Sequence, residues 1–80
     1  MNINRVMNRL GEIKETQDEL AKKVSELCDL AEKAETHKEA MSYIDDAIET
    51  ADRMSKLDRE HKRLLIKKFR YDTSLLLRKS

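Results

Sequence analysis

The sequence predicts an all-α chain, and three observations lead there. Proline is absent from the 80 residues and glycine occurs once, so almost nothing interrupts a helix. A strict heptad repeat runs from Ile3 to Ala34. Two capping patterns then divide the remaining residues. The expected architecture is one domain over residues 1–80. A long heptad-patterned helix (about 3–35) has two shorter helices (about 37–54 and 56–78) packed back on it. This helical hairpin or small bundle is completed by oligomerisation, because 80 residues allow only a small core.

The first helix starts at Asn2 or Asn4, either of which can accept a backbone N–H. Ile3, Leu10, Gln17, Val24 and Ala31 occupy one seam position, and Val6, Ile13, Leu20, Leu27 and Ala34 the other. A 3.5-residue period held this long gives a narrow apolar seam that another helix must cover. Ile3, Val6, Leu10, Ile13, Gln17, Leu20, Val24 and Leu27 are therefore assigned to the core or an oligomer interface. Gln17 is the polar member, suited to fixing register or oligomer state. Met7, Lys14, Ala21 and Cys28 flank the seam on one side, and Arg9, Thr16, Lys23 and Leu30 on the other. Flanks this mixed suit a face that meets more than one neighbour. Gly11 falls outward, where no packing depends on it.

Thr36-His37-Lys38-Glu39 is a Thr-x-x-Glu capping pattern, which places a junction near Glu35–Thr36. The second helix carries its apolar stripe on Ala40, Met41, Ile44, Ala47, Ile48, Ala51 and Met54. Asp45, Asp46, Glu49 and Asp52 lie away from it. Ser55-Lys56-Leu57-Asp58 is a second capping pattern and predicts a third helix. Leu57, His61, Leu64, Leu65, Phe69, Leu75 and Leu76 mark that helix's apolar face, with Ile66 and Leu77 outside it. Asp72-Thr73-Ser74 offers an early stop.

Net charge is +1 but unevenly spread: +2 over residues 1–10, −7 over 11–55 and +6 over 56–80. The acidic middle and basic last quarter suit either an anionic partner or contacts within the chain itself. One cysteine excludes an internal disulfide. Met1 to Leu10 lacks the apolar core of a signal peptide, and no run is long enough to span a membrane. A cytoplasmic protein is expected, with membrane binding disfavoured.

No catalytic constellation emerges. The Asp45–Asp52 carboxylates lack the Glu-x-x-His partner helices of metal-binding bundles, and one glycine cannot build a phosphate loop. Neither an enzyme nor a cofactor or metal is expected, and no small-molecule ligand is indicated. A protein partner and self-association are expected instead, as in small helical accessory proteins of viruses and mobile elements. Candidate partner-binding residues are Tyr43, Asp45, Glu49, Asp52, Ile66, Phe69, Tyr71 and Leu77. The alternative is nucleic-acid binding through Arg59, Arg63, Lys67 and Arg70.

Within this basic stretch, Leu57-Asp58-Arg59-Glu60-His61-Lys62-Arg63-Leu64-Leu65-Ile66-Lys67-Lys68-Phe69-Arg70-Tyr71-Asp72 resembles the first helix of the promoter-binding region of sigma factors. The shared features are a Leu, an Arg-Glu pair, an apolar run and an Arg-Phe-like ending. The likeness spans 16 of the 80 residues. The recognition helix that comes next in that family, on which direct base readout normally depends, has no counterpart before Ser80.

Overall fold

The computed structural model describes residues 2–79, with side chains as far as Arg78. The described residues form two helices, α1 (Ile3–Lys33) and α2 (His37–Lys79), and contain no strand. Asn2 caps α1, its side chain accepting the Asn4 N–H at 3.0 Å. The chain leaves α1 at Ala34, whose backbone turns to φ −63°, ψ 138°. Thr36 then receives the Glu39 N–H on Oγ1 at 3.1 Å and opens α2. A three-residue turn thus reverses the chain with no positive-φ residue among those described.

Two helices replace the three expected. Ser55 lies inside α2, which continues to Lys79 through Asp72-Thr73-Ser74. The reason is visible in the α1-facing row of α2: Ala40, Tyr43, Ala47, Thr50, Met54, Leu57, His61, Leu64, Lys68 and Tyr71. Every one of these is buried or half-buried. They alternate three and four residues apart, matching the heptads of α1, and a break at Ser55 would shift the row off its partner. Asp52–Lys56 (3.4 Å) spans Ser55, Asp58–Lys62 (3.3 Å) follows it, and Lys68–Asp72 (2.9 Å) carries the helix past the second expected stop.

α2 runs antiparallel to α1. Arg9 near the start of α1 meets Glu60, and Gln17 meets Met54. The 31 residues of α1 span about 46 Å and the 43 of α2 about 64 Å, so α2 overshoots by roughly 18 Å. The molecule is a rod of 66 × 16 × 15 Å. Among the described residues, Val6, Ile13 and Ala47 are the buried apolar ones, with Ile13 only 1% exposed. Thr50 is buried beside them, and its hydroxyl is satisfied by donating to the Asp46 carbonyl at 2.8 Å.

Candidate interaction surface

All eight seam residues named from the sequence in α1 point toward α2. Val6 and Ile13 are buried, and Ile3, Leu10, Gln17, Leu20, Val24 and Leu27 are half-buried. Gln17 is turned into the chain's own fold: its Nε2 donates to the Met54 carbonyl at 3.0 Å. Its Oε1 is buried without a hydrogen-bond partner.

The seam has one charged clamp. Arg9 Nε donates to Glu60 Oε2 at 2.5 Å and Nη2 to Oε1 at 3.0 Å, a two-pronged bond between the helices. Arg9 Nη1 also reaches Glu12 at 3.1 Å. The hydrogen bonds from Arg9 hold the Glu60 carboxyl below the ordinary glutamate pKa. Those to Glu60 and Glu12 raise the already high pKa of Arg9. Both side chains remain about 40% exposed, so the clamp sets register more than it adds stability.

The apolar stripe expected on the second helix divides in two. Ala40, Ala47 and Met54 face α1, whereas Met41, Ile44 and Ile48 are exposed, Ile48 at 63%. The expected third-helix face divides likewise. Leu57, His61 and Leu64 turn inward, and Leu65, Phe69, Leu75 and Leu76 are exposed, Phe69 at 71%. The stripes look like single faces when read at 3.6 residues per turn. Packing against a heptad seam selects a narrower 3.5-residue row and leaves the remainder outside.

The outer residues form a row of their own along one flank of α2. Met41, Ile44, Ile48, Ala51, Ser55, Asp58, Lys62, Leu65, Phe69, Asp72 and Leu76 again alternate by three and four. It is apolar at Met41, Ile44 and Ile48, polar at Ser55, Asp58 and Lys62, and apolar again at Leu65, Phe69 and Leu76, with Asp72 between the last two. Met7, Lys14, Ala21 and Cys28 ride the same flank of the molecule on α1, opposite the side clamped by Arg9 and Glu60, and all four are exposed.

The proposed partner-binding residues are scattered by this geometry. Tyr43 and Tyr71, named as partner-binding candidates, are half-buried in the α1-facing row, because α2 runs unbroken and keeps both in that row. Ile66, Phe69 and Leu77 are exposed, as are Asp45, Glu49 and Asp52. Glu49 pairs with Arg53 at 3.4 Å and Asp52 with Lys56. No three His, Cys, Asp or Glu side chains among the described residues cluster closely enough to hold a metal. Arg59, Arg63, Lys67 and Arg70 are all exposed, with Ile66 and Phe69 among them. Phe69, Arg70, Thr73, Ser74 and Leu77 outline an open depression on the overshooting end of α2. No helix of the described residues is long and apolar enough to cross a membrane.

The row Met41–Leu76 was legible in the sequence as a second 3–4 alternation offset by one residue from Ala40–Tyr71. No protein-family model, curated protein or solved structure significantly matches this chain.

Proposed function

We propose that this chain is a non-enzymatic protein–protein interaction module: a small cytoplasmic accessory protein, oligomeric, that binds, inhibits or scaffolds a larger partner. The carrying observation is apolar surface left without cover. A compact folded monomer of this mass exposes about 5,000 Å², against 6615 Å² for this rod. Ile44, Ile48, Leu65 and Phe69 are among the large apolar residues on this exposed surface. Apolar rows of this extent on soluble helices mark interfaces. A helical hairpin with so few buried residues also gains from packing against further helices.

Affinity purification from native lysate, with and without nuclease, tests the role. A discrete protein that co-elutes in both samples is the expected result. Loss of all co-eluting material on nuclease treatment overturns it.

Nucleic-acid binding is the second reading, favoured by the exposure of Arg59, Arg63, Lys67 and Arg70 on one end of the rod. It predicts salt-sensitive binding that is lost in the Arg63→Ala/Lys67→Ala/Arg70→Ala variant. The interleaved Ile66 and Phe69 fit a protein interface better than a phosphate track.

A further inference from the structure

The Gln17–Met54 contact divides the rod electrically. On its loop side, residues 16–55 carry eleven acids and five bases, net −6. The remainder carries twelve bases and five acids, net +7. Antiparallel folding brings Arg5, Arg9 and Lys14 beside the basic end of α2, so the two helices reinforce this division instead of cancelling it. Two such rods repel when aligned parallel and attract when one is reversed.

The outer row of α2 has the same reversal built into its side chains. It is apolar at Met41, Ile44 and Ile48, polar at Ser55, Asp58 and Lys62, and apolar again at Leu65 and Phe69. When the row is laid antiparallel on a copy of itself about a two-fold axis near Lys56 and Leu57, Ile44 faces the second copy's Phe69, Ile48 its Leu65 and Met41 its Asp72. Ala51 then lies beside Lys62, and Ser55 beside Asp58. A parallel overlay instead sets Asp58 against Asp58 and Lys62 against Lys62.

We infer that a second copy of this chain docks antiparallel along this flank of α2, each acidic half against the other's basic half. This rests on the interaction role proposed above and names its first partner. The excess surface of about 1,600 Å² over a compact monomer exceeds the roughly 800 Å² each side contributes to a standard interface. The two-fold pairing is self-complementary, so the assembly closes as a four-helix dimer without exposing a new edge.

The test uses the full chain with Cys28→Ser, Ala51→Cys and Lys62→Cys, treated with a short thiol cross-linker and mapped by peptide mass spectrometry. Within one helix positions 51 and 62 lie about 16 Å apart, so the link between them must join two copies. Sedimentation equilibrium of the unmodified chain reads the mass in parallel, and circular dichroism checks that each variant remains helical. A species of twice 9.4 kDa with 51–62 links is the expected result. Ile48→Glu, which places a charge in the interface but on the surface of the monomer, is expected to weaken the dimer on the order of 100-fold with helicity retained. A dimer linked 51–51 and 62–62 overturns the antiparallel arrangement. A monomer at about 100 μM overturns self-docking. If that monomer still captures a discrete protein from lysate, the interaction role stands without this inference; if it captures none, both fall.

Discussion

Arg9 grips Glu60 through two hydrogen bonds, 51 residues apart in sequence and on opposite helices. With the Gln17–Met54 contact it fixes how far α2 slides along α1, since the apolar layers alone allow a heptad's slip. Because the folded-state pKa of Glu60 is lowered by its bonds from Arg9, its contribution is fully present above the ordinary glutamate value of 4.5. It is lost as pH falls below that and through the lowered folded-state value. Thermal melts from pH 7 to pH 3 are expected to show wild type losing stability over this window, with a shallower loss in Glu60→Gln. Equal acid limbs in the two proteins would count against the clamp.

Gly11 tests the outward face of α1. A Cβ built there meets nothing within 4 Å, and the residue is exposed inside a regular helix. Alanine lowers the backbone entropy of the unfolded chain without a steric cost, so Gly11→Ala is expected to stabilise by about 0.5–1 kcal/mol. Urea denaturation at fixed protein concentration measures it, and destabilisation would place an unrecognised contact at this flank.

The seam of α1 could be read residue by residue because large apolar side chains mark it at nearly every step from Ile3 to Leu27. The inward row of α2 could not be read so readily. Its members include Ala47, Thr50, His61 and Lys68, while larger apolar residues such as Ile48 and Phe69 stand outside. Hydrophobicity alone therefore points to the wrong face, and only the match to the 3.5-residue period of α1 recovers the right one. Ser55-Lys56-Leu57-Asp58 has the composition of a cap, but a cap forms only where the helix already has reason to stop. At Thr36 the small Ala31 and Ala34 end the seam and supply that reason. At Ser55, Met54 and Leu57 continue the row across the pattern.

Gln17 donates one hydrogen bond and buries an acceptor without a partner. Methionine keeps the length of the side chain and removes the unsatisfied oxygen, at the loss of the bond to Met54. Gln17→Met is expected to raise stability by about 1 kcal/mol, because burying an unpaired polar atom costs more than one such bond contributes. The same change removes a polar marker of register. A second species in cross-linking or size-exclusion profiles of the variant would accordingly show that Gln17 selects one pairing. A stability loss would indicate that Oε1 has a partner in the assembled protein.

Ile13 and Ile48 have the same side chain in opposite situations, at 1% and 63% exposure. Truncating Ile13 opens a gap between α1 and α2 at their best-packed layer. Ile13→Ala is expected to cost about 2–4 kcal/mol, close to the full range for a buried isoleucine. Ile48→Ala removes nothing from the contact between α1 and α2. At dilute concentration it is expected to change stability by less than about 0.5 kcal/mol. At high concentration, where assembly contributes to stability by mass action, the Ile48 variant is expected to melt below wild type. Melting curves at two protein concentrations a hundredfold apart separate these cases. The gap between wild type and Ile48→Ala should widen with concentration, whereas Ile13→Ala should be destabilised at both. A concentration-independent wild-type melting temperature would mean that Ile48 faces water in the working protein.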